Sequence, residues 1–414
     1  MATMIQSSQA SALCSSQRRH ARGFTLVELM VAVTVGLILS LVITGTVLNV
    51  GKQFRVVGSN ISAQGSAQIA LSLIDVAGRA AGAGMFNNGQ LICPTLNAWR
   101  DGAVTSNNAV FMPAVISDGG SNSASDTIVF TSGNAARPLS AAPLVDTTPT
   151  NATTVVVSNA GGFQNGDFAL LGAPGSGQPC LLFRVTAAPT VDGVACAGNA
   201  TACTTLTRTG AATGYNPPGA VFATAPSYGF ATDTGVVPAV FGPAVVTNLG
   251  SNFVRNAFAV QCQALIQYNA FTDAPACTQS PLGFSGGANA LATDVVLMHA
   301  QYGLSAAANS DIVTSWVNAT AAWAAPSAAN VGRIKALRVV IVVRSKEAES
   351  TTVTEASCTN TNGVVNTGPC SFQDANAPVI DLSAVAVTAG KTWRHYRYRV
   401  HQAVVPLRNV IWSS

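Results

Sequence analysis

Few side chains in this 414-residue chain are placed to do chemistry, and the first of them stands alone. From Phe24 to Val50 the only ionisable side chain is Glu28, set near the start of the apolar run RGFTLVELMVAVTVGL. A carboxylate at the centre of a bilayer costs roughly 2.5–3.5 kcal/mol on insertion scales, so it normally has a partner or a function. Read from its charge alone, Glu28 is an anchor carboxylate close enough to the interface to reach water.

The other candidates are weaker. GFSGG, Gly283 to Gly287, fits the G-x-S-x-G turn that exposes a serine nucleophile. That turn needs a strand leading in and an acid and a histidine to follow. Here Pro281 precedes it, and Asp294 and His299 fall together on one short strand, which argues against a hydrolase. His299, His395 and His401 do not sit near cysteine pairs and no C-x-x-C occurs, so no zinc site is expected. Asp311, Asp374 and Asp381 lack calcium-loop spacing. No catalytic residue, cofactor or metal is called for. N-A-T at Asn151, Asn199 and Asn318 is read as composition rather than as glycosylation.

Composition bounds the elements that carry these residues. The chain is 48% hydrophobic and 9% charged, too poor in charge for a nucleic-acid binder and too apolar for a disordered chain. Of its 21 basic residues, Arg18, Arg19 and Arg22 precede the apolar run and no acidic residue does. The remainder sets 18 basic against 17 acidic residues, with no hint of an acidic partner. About 20 apolar residues cross a hydrocarbon core, so the run can span a membrane. The flanking arginines favour a cytoplasmic N-terminus and an exported remainder, although Lys52 and Arg55 follow the span.

No proline occurs before Pro94, which predicts one helix continuing to about Ala81. Gly51, Gly58, Gly65 and Ser72 recur every seventh residue on the face of Phe54 and Ile61, a stripe that suits close approach by another helix if it is more than chance spacing. Ile69, Leu73, Ile74, Val76 and Ala77 predict an opposite face docked on the chain's own globular domain. After GRAAGAGMFNNG the sequence reads as strands and turns: DTIVFTSG, TTVVVSNA, DFALLGAP, CLLFRVTA, NAFAVQCQALIQY, DVVLMHAQYGL, RVVIVVRS and YRYRVHQAVVPL. DIVTSWVNATAAWAA is ambiguous and reads as a short helix. The fold class is α+β: a long N-terminal helix, transmembrane in its first half, and a large antiparallel β-rich globular domain.

Gly23, Phe24, Thr25, Leu26, Val27, Glu28 and the following LMVAV resemble the type III signal of type IV prepilins and pseudopilins. The resemblance implies cleavage between Gly23 and Phe24 by a prepilin peptidase, N-methylation of Phe24, and retention of Glu28 as the fifth mature residue. Glu28 would then neutralise the terminal amine of an adjacent subunit, a buried charge tolerated only when subunits are in register. The implied segments are a leader at 1–23, an anchor and assembly helix at 24–83, and a globular domain at 84–414. The leader is longer than is usual for this class, with Met4 as a second candidate start.

Nine cysteines become eight if Cys14 leaves with the leader, an even count that suits disulfides in an exported domain. Spacing favours Cys196 with Cys203, Cys358 with Cys370 and Cys262 with Cys277, which leaves Cys93 with Cys180. Buried free thiols are the alternative.

RIKALRVVIVVRS and the terminal YRYRVHQAVVPLRNVIW resemble the C-terminal half of PilW-type minor pilins, and ALSLIDVAGRAAGAGMF resembles that family's exit from the helix. Residues from roughly 90 to 290 carry no such likeness. Membership implies a pilin-like fold and a low-abundance subunit that joins other minor pilins in a tip complex. That complex primes growth of the major pilin fibre from an inner-membrane assembly platform, beneath a large adhesin-like tip protein. The protein would sit in the bacterial inner membrane with its domain in the periplasm before assembly, and at the pilus tip on the cell surface afterwards. Pseudopilin J of type II secretion shares the anchor, but its globular domain is usually much smaller. A major pilin fits less well, because so large a domain packs poorly as a fibre's repeating unit. An unrelated anchored periplasmic domain is the reading if Gly23–Phe24 is never cut. Arg344 and Arg408 read as strand-end arginines bonding backbone carbonyls or a carboxylate.

Overall fold

The computed structural model of the protein describes residues 25–133, 141–146, 148, 152–158, 162–192, 203–224, 226–228, 240–241, 243–279 and 282–412. Helix α1 runs from Leu26 to Ala80. The chain divides into two compact units on either side of the Val57–Gly58 bond.

In the first unit, Leu26–Val47 has a mean hydropathy of 2.6 and is exposed at every residue, long and apolar enough to cross a membrane. Many of its residues are β-branched and weak helix formers in water, but lipid forces every backbone group to be satisfied within the segment. The polar side chains follow the same rule. The hydroxyls of Thr34, Thr44 and Thr46 donate back to the carbonyls of Val31, Ser40 and Ile43 at 2.8–2.9 Å.

In the second unit α1 docks on two antiparallel sheets. One orders Asn289–Thr293, Ala264–Asn269, β2 (Phe253–Gln261), β1 (Thr127–Gly133) and Ala114–Ser117. The other orders Val313–Val317, β3 (Val295–Ser305), β4 (Ile334–Arg344) and β5 (Tyr398–Pro406). Every residue of β4 is buried. Leu337, Val339 and Ile341 share one core with α1, while Val340 and Val342 meet Ile380 and Leu382 of the long β4–β5 connection. Both faces of β4 are thus covered, and its sequence is accordingly a near-continuous apolar run rather than an alternating one. A third, six-stranded sheet orders Ala103–Val110, Thr95–Arg100, Cys180–Arg184, Phe168–Gly172, Val245–Gly250 and Ala142–Pro143. Its pairing of Cys180–Arg184 with Thr95–Arg100 is parallel.

The docked face of α1 matches the predicted one only in part: Ile74 is fully buried and Ala77 packs against the same core, but Ile69, Leu73 and Val76 point away. Ala67, Ala70, Ile74, Gly78 and Ala81 are buried, whereas Ile69 is 60%, Leu73 38% and Val76 64% exposed. The reason is distance. A Cβ placed on Gly78 would overlap the Val405 side chain of β5 and come within 3.2 Å of the Phe130 ring of β1. At Gly78 the helix lies so close to both sheets that no side chain fits, whereas Ile74, one turn earlier, buries a full side chain in the same core.

Two local expectations also fail. NAFAVQCQALIQY is a hairpin rather than one strand, turning at Cys262 and Gln263, both at positive φ (48° and 60°). DIVTSWVNATAAWAA forms the strand Val313–Val317 followed by a 3-10 turn at Ala321–Trp323 instead of a helix. Its Trp316 packs over Gly303 of β3, where a Cβ would lie within 2.6 Å of the indole.

Candidate functional site

Glu28 occupies the third position of α1, and Thr25 caps the helix. The Glu28 carboxylate accepts from the Thr25 backbone N–H and hydroxyl, both at 3.0 Å, while the Glu28 N–H reaches the Thr25 hydroxyl oxygen at 3.3 Å. This reciprocal arrangement is a capping box, and T-x-x-E is its signature in the sequence. It supplies a local occupation for a carboxylate that pairs with no cation among the described residues. Gly23 and Phe24, the expected cleavage and methylation positions, lie outside the described residues.

The glycine stripe has no partner within the chain where it is described. A Cβ on Gly51 or Gly65 meets nothing within 4 Å, and Gly58 is helical. The glycine that does set a close approach is Gly78, which falls outside the seven-residue spacing. Cys93 is disulfide-bonded to Cys180, Cys262 to Cys277 and Cys358 to Cys370. Cys203 is disulfide-bonded as well, and Cys196 lies outside the described residues.

The C-terminal segment closes the second unit around the end of α1. Leu407 donates its N–H to the Lys335 carbonyl at 2.9 Å, and the short helix α2, Arg408–Ile411, follows. The Asn409 side-chain amide donates to the carbonyls of Arg79, Ala80 and Ala81, at 3.4, 3.2 and 2.9 Å. These are among the carbonyls a helix leaves unpaired at its C-terminus. Arg408 itself is exposed and makes no ion pair among the described residues.

Two buried arginines bind the β4–β5 connection to the sheet. Arg344 donates to the Ala386 carbonyl at 2.6 Å and to the Gln263 side-chain oxygen at 2.5 Å, with its guanidinium 4.3 Å from the centre of the Tyr396 ring. Arg338 lies between the Trp316 and Phe372 rings, at 4.9 and 4.8 Å, and donates to both oxygens of Asp374 at 2.5 and 3.1 Å. That contact holds the Asp374 carboxyl below its ordinary pKa.

His299, on β3, is also buried. Its Nδ1 lies 3.4 Å from Asp126 Oδ2 and its Nε2 lies 3.0 Å from the Asn122 carbonyl. Two acceptors on one ring favour the doubly protonated imidazolium. Burial opposes that charge, but the Asp126 bond and charge, the Asn122 carbonyl and the Asp118 charge outweigh it and raise the pKa. The histidine is thereby engaged in pinning the loop at residues 118–126 to β3. Asp294, the other candidate of a hydrolase set, sits in a turn at φ 60° and offers its backbone carbonyl to the Arg344 N–H.

Residues 276–409 match the family of Type IV Pilus-assembly protein W, and residues 18–44 match the prokaryotic N-terminal methylation motif. The first match runs from the Cys277 disulfide through β3, β4 and β5 to Asn409, and the second takes in Glu28 and the apolar start of α1. No curated protein and no solved structure matches the chain.

Proposed function

We propose that this chain, a type IV pilus-related pilin consistent with the PilW family, is a minor pilin that joins other minor pilins in a complex at the pilus tip. There it primes assembly of the major pilin fibre and presents a large adhesin-like tip protein. Before assembly α1 anchors it in the bacterial inner membrane with the globular domain in the periplasm. A prepilin peptidase cuts between Gly23 and Phe24, and Phe24 is then methylated.

The observation that carries this reading is Glu28: the single charge in a wholly exposed apolar span, held among the described residues only by the cap residue Thr25. Removal of the leader places a new amine four residues before Glu28. An amine of this kind titrates near 7.7–8.0, so it is mostly charged at neutral pH. In lipid it needs a counter-charge, which Glu28 of an adjacent subunit supplies as it exchanges its hydroxyl and N–H partners for a cation. The Thr25 cap keeps the carboxylate satisfied until that exchange.

Glu28→Leu tests the reading. The leucine variant should insert and be cut like the wild type, yet co-purify poorly with the other minor pilins and give fewer pili of ordinary composition. Normal co-purification with normal pilus number would leave Glu28 as an anchor residue only.

A further inference from the structure

We propose that the outer edge of β5 is a docking site for one extended segment of a partner protein, acidic where it meets Arg399 and apolar where it meets Val404. β5 is the last strand of its sheet, nine residues long, and it pairs β4 without a register shift. The phase of the ladder is fixed at both ends. Leu407 donates its N–H to Lys335, and Ser345 donates its N–H to the Arg397 carbonyl. Odd-numbered residues of the strand therefore bond β4, and the N–H groups of Tyr398, Val400, Gln402 and Val404 point outward. Among the described residues no backbone group takes up this edge.

Long regular edges are uncommon, because they invite unwanted pairing and are normally shortened, bulged, broken by proline or covered. Apart from the charge of Arg399 and its final residue Pro406, β5 carries none of these devices among the described residues. The opposite edge strand of the same sheet, Val313–Val317, is five residues long and carries a bulge. The sheet thus blunts one margin and leaves the other straight.

Charge selects the occupant. Lys391 and Arg394 precede β5 in the chain and Arg399 lies near its start, and none of the three meets a carboxylate among the described residues. Lys391 and Arg394 donate to the carbonyls of Glu349 and Thr354. Arg397 alone has an acidic partner, Glu349, at 3.1 Å. Farther along, Val404 is 51% exposed. A strand added here gains main-chain hydrogen bonds from the edge and its side-chain preference from these two ends. A second copy of this chain would bring the same unmatched cations to the edge, which favours a different, acidic partner. This inference rests on the sheet and its charges and stands apart from the pilus reading.

The test uses the full-length protein in detergent micelles and a short capped peptide alternating valine with threonine, with a pair of glutamates at one end. Binding should slow amide exchange across residues 398–406, and the same peptide with alternate amides N-methylated should not bind. Gln402→Pro removes one outward N–H at a position where an edge strand tolerates proline. It should weaken binding roughly three- to tenfold while unfolding at the wild-type denaturant midpoint. Arg399→Glu should shift preference to a peptide with lysines in place of the glutamates. The proposal is overturned if exchange at 398–406 is unchanged at saturating peptide, if the N-methylated peptide protects equally, or if Gln402→Pro binds like the wild type. It is equally overturned if the edge is protected without peptide by self-association, or by phosphatidylglycerol vesicles in preference to the peptide.

Discussion

The Asn409 amide lies 2.9 Å from the carbonyl of Ala81, so a residue at the far end of the chain finishes a helix that begins at Leu26. The helix ends at Ala80, and Gly82, with a φ of +83°, carries the chain away from it and gives its N–H to the Thr131 carbonyl of β1 at 2.8 Å. The last-turn carbonyls of Arg79 and Ala80 share the Asn409 donor. Asn409→Ala should lower unfolding free energy by about 1 kcal/mol, the ordinary net worth of such a bond, in denaturant titration of the purified protein. Asn409→Asp should cost more, because it replaces the donor with a negative charge at the negative end of a helix dipole.

Gly78 should tolerate no side chain unless Val405 yields. The added methyl of Gly78→Ala overlaps Val405 and presses on Phe130, and overpacking of this kind costs about 1–3 kcal/mol, more than alanine gains as a helix former. Combining it with Val405→Ala should recover part of the loss. A coupling of at least about 0.5 kcal/mol in the double-mutant cycle would mark the contact, and strict additivity would refute it.

Large features of this fold are plain in the sequence, and the errors fall where elements approach closely or the chain turns at unmarked residues. Proline-free length and apolar content mark α1, and alternation or apolar runs between Gly, Pro, Asn and Ser clusters mark the strands. What hydrophobicity cannot report is how closely two elements approach. Ile69, Leu73 and Val76 face away while Ala67, Ala70 and Gly78 dock beside Ile74, because at Gly78 the helix–sheet spacing leaves no room for a side chain. Turns at unusual residues are equally hidden: Cys262-Gln263 carries no turn signal, whereas Asp101-Gly102, at φ 45° and 89°, does and joins Thr95–Arg100 to Ala103–Val110. In the site, the T-x-x-E signature of the Thr25–Glu28 cap is present in the sequence, but the reading of Glu28 by its charge alone passes over it. Asn409 carries no such signature, since nothing local to it reveals the carbonyls of a helix more than three hundred residues away.

His299 should make the second unit more stable in mild acid than in mild base. Its pKa is raised on folding, chiefly by Asp126 against the opposing effect of burial. Such a group adds stability that is fully present below its unfolded value, near 6.5, and lost as the pH climbs past its folded value. His401, lowered by burial and by Arg399, acts in the opposite sense, so the comparison must be between variants. The difference in unfolding midpoint between wild type and His299→Gln should be larger at pH 5.5 than at pH 8.5. Asp126→Asn should flatten the same difference, and equal differences at both pH values would remove the ion pair from the account.

Arg338 and Asp374 should be strongly unequal when one is removed without the other. The guanidinium is 1% exposed while its partner carboxylate is 44% exposed, so only the arginine is left buried without a counter-charge when the pair is broken. Asp374→Ala strands a buried cation between Trp316 and Phe372, with Gln301 and the Asn376 carbonyl as its remaining acceptors. Breaking a buried pair in this way costs roughly 3–5 kcal/mol, and the exposure of Asp374 places this case at the lower end. Arg338→Met removes the charge, keeps a flexible apolar side chain between the two rings, and should cost less than Asp374→Ala. The Asp374 contribution should also fade in acid, because a depressed carboxyl pKa gives stability above the unfolded value, near 3.9, that is lost as the pH falls through the folded one. Denaturant titrations of the two variants at neutral pH decide the order. If Arg338→Met is the more damaging, the arginine acts through its hydrogen bonds to the β4–β5 connection rather than through charge neutralisation by Asp374.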